Sequence, residues 1–169
     1  NDFWKSNKLY RSPYTGSDHS PYSFAFRKST PYCGEKVLAD VLETMIDYRP
    51  TSILVTHPSD DHPDHTASSS FVTLAYHMAS VMPSSKTWRA TLSYYLVHRG
   101  DWPTPQGLFK DEKLYPPKEL RNLDTKWDEF TLDSDSETRK QKSIEQYDSQ
   151  IQITRRFLES FVRKTEIFG

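Results

Sequence analysis

The sequence has a single cysteine, no long hydrophobic run and no surplus of either charge. Each shortage excludes something. With Cys33 alone, no internal disulfide can form, and a zinc cage built from cysteines is ruled out. A metal would have to be held by histidine and carboxylate. No apolar stretch is long enough to span a bilayer. The opening residues NDFWKSNKLY contain no apolar core of the kind a signal peptide needs. With 22 basic and 23 acidic residues the formal net charge is -1, which leaves no electrostatic case for a nucleic-acid partner. No internal repeat is visible.

What is present points to a water-soluble chain with one α/β domain over residues 1–169. The hydrophobic share is 35% and the mean hydropathy is -0.78. The chain is long enough for a real core. Ten Tyr and four Trp either fill that core or line a groove for a polar, ring-shaped ligand such as a sugar.

Periodicity orders the chain. YSFAF (22–26) reads as a short strand. From Glu35 to Tyr48 the residues Val37, Leu38, Val41, Leu42 and Met45 share one helical face, and Pro50 stops that helix. SILVT (52–56) reads as a buried strand. Ala67, Phe71, Leu74, Ala75 and Met78 recur at helical spacing toward Pro83. TLSYYLV (91–97) reads as a second strand. Residues 99–130 are irregular and proline-rich. One long helix is expected after Ser134, with Ile144, Tyr147, Ile151, Leu158 and Phe161 as its stripe. Strands alternating with helices predict an α/β fold with a parallel sheet. Ligands in such sheets sit at the carboxyl ends of the strands.

HPSDDHPDH (57–65) begins where SILVT ends. Pro63 suits the first turn of a helix. His62 and His65, three apart, then lean to the same side. One can bind a metal while the other faces a substrate. Asp64 between them can accept a hydrogen bond from an imidazole and fix its tautomer. His57 reads as a cap or a hydrogen-bonded loop residue. His98, Arg99, Asp101 and Trp102 end the second strand. They read either as a substrate wall, with Trp102 stacking on a sugar ring, or as a loop anchored by tryptophan. His19, His77, Cys33, Lys142 and Gln150 read as structural or solvated.

The stretch ILVTHPSDDHPDHTAS resembles the second signature of the LmbE-like (PIG-L) N-acetylglucosaminyl de-N-acetylase family, whose core is H-P-D-H between a strand and a helix. YRPTSILVTHP fits the lead-in to that signature, and KSIEQYDSQ (142–150) is a weaker match to a late helix of the family. The likeness covers roughly residues 31–160. It implies a Rossmann-like, mainly parallel sheet with flanking helices. It also implies a zinc ion held by two His and one Asp, with another Asp as general base for the water that attacks an acetamide. By position, His65 matches a zinc ligand. His62 matches the histidine that stabilises the oxyanion or protonates the leaving amine, and Asp64 the aspartate that orients it.

The family's first signature, A-H-P-D-D-E, does not occur here, and THPSDD (56–61) abuts H-P-D-H rather than lying on a separate strand. The chain therefore reads as the C-terminal part of such a fold. Its sheet should be incomplete, and its site should be finished by an N-terminal segment or a second chain. The expected substrate is an N-acetylated sugar or sugar conjugate. The competing expectation is a non-catalytic carbohydrate-binding or interaction module that keeps half of the site. A phosphoesterase is disfavoured by the lack of a basic cluster.

Overall fold

The computed structural model describes residues 7–82, 88–121 and 126–169. Its elements run α1 (Gly34–Tyr48), β1 (Ser52–Thr56), α2 (Pro63–Val81), β2 (Thr91–Tyr95), α3 (Lys118–Arg121), β3 (Asp128–Thr131), α4 (Ser134–Glu145), α5 (Asp148–Glu159) and β4 (Thr165–Phe168). The architecture is mixed α/β. A two-stranded parallel sheet, β1 with β2, is flanked by helices, and β3 and β4 form a second, antiparallel pair. The sheet is far smaller than the Rossmann-like one expected. Among the described residues, no helix is long and apolar enough to cross a membrane.

The chain forms two compact units. One comprises Asn1–Val55 and Ala67–Leu92. Here α1 ends at Arg49, whose N–H still makes the helical bond to the Met45 carbonyl at 3.0 Å and whose left-handed φ of 50° turns the chain out of the helix. Pro50 forbids a further helical turn by crowding the residue before it. The Thr91 N–H donates to the Thr51 carbonyl at 3.1 Å, which starts the parallel pairing. On α2, Phe71, Ala75 and Ala79 recur every four residues and are buried. Trp88 closes this unit by donating from Nε1 to the Pro50 carbonyl at 2.8 Å. Pro83, expected to end α2, lies outside the described residues. YSFAF is a turn, not a strand: Tyr22 and Phe24 stack on each other and remain exposed. Its apolar spacing resembles a strand, but among the described residues no strand pairs with it.

The other unit comprises Thr56–Thr66 and Ser93–Gly169. Its core gathers Leu96, Trp102, Leu114, Leu120 and Ile167, with Trp127 and Phe161 packed against them. β3 and β4 pair from Asp128↔Phe168 to Thr131↔Thr165. Gly169 and Tyr94 exchange both backbone hydrogen bonds, at 2.8 and 2.9 Å. The single long helix expected after Ser134 is two helices, broken at Gln146–Tyr147, where Tyr147 leaves helical geometry. Asp133 starts the first of them by accepting the Ser136 N–H at 2.7 Å.

Candidate functional site

All residues of the site belong to the second unit. Parallel pairing carries on past β1, where the His57 N–H donates to the Tyr95 carbonyl at 2.7 Å. The chain then turns through Ser59, Asp60 and Asp61 and enters α2 at Pro63. His62 caps that helix, its carbonyl accepting the Thr66 N–H at 3.1 Å. Pro63 occupies the first helical position, where a missing N–H leaves no hydrogen bond unmade.

Asp60 organises the turn. Its side chain is fully buried, and its two oxygens accept four hydrogen bonds. Oδ1 takes the His62 backbone N–H at 2.9 Å and the His65 Nδ1 at 3.0 Å. Oδ2 takes the backbone N–H groups of Val97 and His98, at 2.9 and 3.0 Å. Burial by itself pushes the carboxyl up. The N–H groups of His98, His62 and Val97, with the nearby His65, outweigh it and hold Asp60 below the ordinary carboxylate value. Asp60 is therefore ionised and can only accept, so the His65 Nδ1 carries the proton. No partner for the His65 Nε2 is found among the described residues.

His62 has the opposite tautomer. Its Nδ1 accepts the Asp64 backbone N–H at 3.2 Å, which leaves the proton of the neutral ring on Nε2. The two rings lie 4.8 Å apart. One presents a lone pair and its neighbour an N–H. The carboxylate that fixes an imidazole tautomer is thus Asp60, where Asp64 was expected; Asp64 meets His62 through its backbone instead.

The residues expected as a substrate wall separate into two groups. The His98 ring stacks on His65 at 5.3 Å and on Phe157, from α5, at 5.4 Å. Arg99 pairs with Asp61 at 3.0 Å, and the Gly100 N–H donates to the same carboxylate at 2.7 Å. Asp61, Arg99, Gly100 and the exposed Asp101 line, with Trp102, a groove of about 440 Å³ that reaches Lys118 and Glu119. Trp102 is only 6% exposed, and its Nε1 donates to the Tyr115 carbonyl at 2.7 Å. A ring so enclosed anchors the core and adds little surface to that groove. His57 is also buried; its Nδ1 accepts the Ser59 N–H at 3.0 Å and its ring stacks on Trp127. Burial, aided by Arg99, lowers its pKa against the pull of Asp60, so it is a neutral loop residue.

Sequence reasoning did not single out Asp60 from its neighbours, and it missed Phe157. Asp60 is one of three aspartates in nine residues, and nothing in the string marks it out. Phe157 sits within the predicted helical stretch but off the stripe.

A zinc site needs three protein donors and an open position. Among the described residues, no group of three or more His, Cys, Asp or Glu is arranged to hold a metal ion. The rings of His65 and His98 stack on each other, and both Asp60 oxygens are engaged. His65 Nε2 fits one ligand position, so this chain does not by itself fit the complete zinc centre. The chain matches no protein-family model, no curated protein and no solved structure.

Proposed function

We propose that this chain carries the histidine half of a zinc-dependent N-deacetylase. Its substrate is an N-acetylated sugar or sugar conjugate, and the other metal ligands and the general base come from outside these 169 residues. The observation that carries the reading is a pair of neighbouring imidazoles at the carboxyl end of a parallel strand, one with its Nδ1 on a carboxylate and the other with its Nδ1 on a backbone N–H. Hydrolysis of an acetamide needs both kinds of group: a nitrogen lone pair for a metal, and an N–H for the oxygen that gains charge. His65 Nε2 offers the first and His62 Nε2–H the second. Once protonated, His62 can also hand a proton to the departing amine. The groove lined by Arg99 and Asp101 offers hydroxyl-binding groups. Zinc, when bound, supplies Lewis acidity and makes water acidic near neutral pH. Among the described residues β1 has β2 as its one strand neighbour, and Leu54 on it is 55% exposed.

Zinc calorimetry and an acetate-release assay test this reading, with and without an added segment bearing the A-H-P-D-D-E signature. The lone chain should bind zinc weakly and release no acetate, and the added segment should restore both. In the completed protein, His65→Ala should abolish metal retention. His62→Ala should keep the metal and lower turnover by about 10²–10⁴-fold. Equal loss of zinc in both variants would refute the division of roles, and tight zinc binding with turnover by the lone chain would refute the half-site.

The lack of a three-donor group favours one other reading, a carbohydrate-binding module without chemistry. It predicts sugar binding by the lone chain, and no acetate release under either condition.

A further inference from the structure

We propose that Asp60 is the positioning residue of this histidine centre, its carboxylate setting His65 as a lone-pair donor at Nε2 while holding His98 against it. What the centre does rests on the deacetylase reading; how it is held rests on hydrogen-bond geometry alone.

A carboxylate that served only to shape the turn would need only backbone donors. Asp60 has three of these, from His62, Val97 and His98, and it adds the Nδ1 of His65. Sharing Oδ1 between the His62 backbone and the His65 ring fixes the two ends of H-P-D-H to one atom. Oδ2 ties that atom's partner to the segment after β2, which places the His98 ring 5.3 Å from His65. The carbonyl of His65 is fixed as well, by the Thr56 hydroxyl at 2.7 Å. The His65 ring therefore has its backbone anchored by one residue and its protonated nitrogen by another. The other two aspartates do neither job. Asp61 faces Arg99 and Gly100, and Asp64 offers His62 only its backbone N–H.

Asp60→Asn separates positioning from mere shape. An amide has one accepting oxygen and one donating nitrogen. With its oxygen toward Val97 and His98, the amide keeps two backbone bonds and must donate to His65 Nδ1. The reverse orientation leaves two backbone N–H groups facing an NH₂. The first arrangement is favoured, and it forces the His65 proton onto Nε2, abolishing the lone pair there.

Long-range ¹H–¹⁵N correlation spectra of the labelled 169-residue chain, recorded where the rings are neutral, read each tautomer directly. In the natural sequence, His65 should show protonated Nδ1 and bare Nε2, and His62 the reverse. In Asp60→Asn the His65 pattern should invert, while Asp61→Asn should leave it unchanged. A natural-sequence His65 protonated at Nε2 overturns the proposal, even if the variant does not fold. A folded Asp60→Asn that keeps the Nδ1 proton also overturns it. Failure of the acetate assay would leave these tautomers as they are, so the two readings fall separately.

Discussion

His62 and His65 are the same residue type three positions apart, and their difference comes from one partner each. A backbone N–H makes one ring a donor at Nε2; a buried carboxylate makes the other an acceptor. The H-P-D-H spacing was enough to single out both histidines. It could not rank Asp60, Asp61 and Asp64, because the amides that select Asp60 come from Val97 and His98, more than thirty-five positions along the chain. His57 yields a prediction at this scale. Its folded pKa lies below 6.5, so the unfolded chain takes up its proton first as pH falls. Stability from its burial is then full above about pH 6.5 and is lost as pH drops toward the folded pKa. Asp60, also lowered, adds a second loss at more acidic pH. Urea midpoints measured from pH 8 down to 5 should decline for the natural chain. The decline over this range should be shallower in His57→Asn, and an equal slope would show that His57 is not its source.

At the scale of elements, the helices and strands written by strong periodicity appear where they were expected. α1 and β1 are set by an apolar stripe, a proline stop and a β-branched run. The β3–β4 pair was not legible. Each strand has only four residues and the two lie more than thirty positions apart, so neither carries a pattern that the other confirms. The split between α4 and α5 was hidden because the apolar stripe continues across it. On α2, Ala75 is 0% exposed and Ala79 is 1% exposed, so that face is sized for small side chains. Ala75→Leu should therefore destabilise the protein by about 1–3 kcal/mol through overpacking. A urea unfolding curve checks this; an unchanged midpoint would mean that the face tolerates more volume.

At the scale of the whole molecule, the long segment between β2 and β3 is held by a buried cation. Arg163 is 1% exposed. Its guanidinium donates to the carbonyls of Ser160 at 2.9 Å and Pro105 at 2.5 Å, pairs with Glu112 at 3.1 Å, and lies over the Phe109 ring at 4.9 Å. Its loss would leave the buried Ser160 carbonyl and the Pro105 carbonyl without this donor, and would remove the support of the proline-rich loop that follows Trp102. Arg163→Ala should cost about 2–4 kcal/mol. Denaturant melts followed by tryptophan fluorescence should show it, and a loss below half a kilocalorie would contradict this role.

The sequence alone determined what local rules can determine. An apolar period of 3.6 placed the main helices, and short strand-like runs placed both strands of the parallel pair. The single cysteine excluded disulfides, and the strand-end position of H-P-D-H located the candidate site. Tertiary structure decided which aspartate serves that site, that Trp102 is enclosed, and that Phe157 backs His98. Each of these depends on atoms brought together from distant positions. A hydrogen bond or a ring contact is set by distance in space, and the linear spacing of residues encodes that distance only within a single helix or strand.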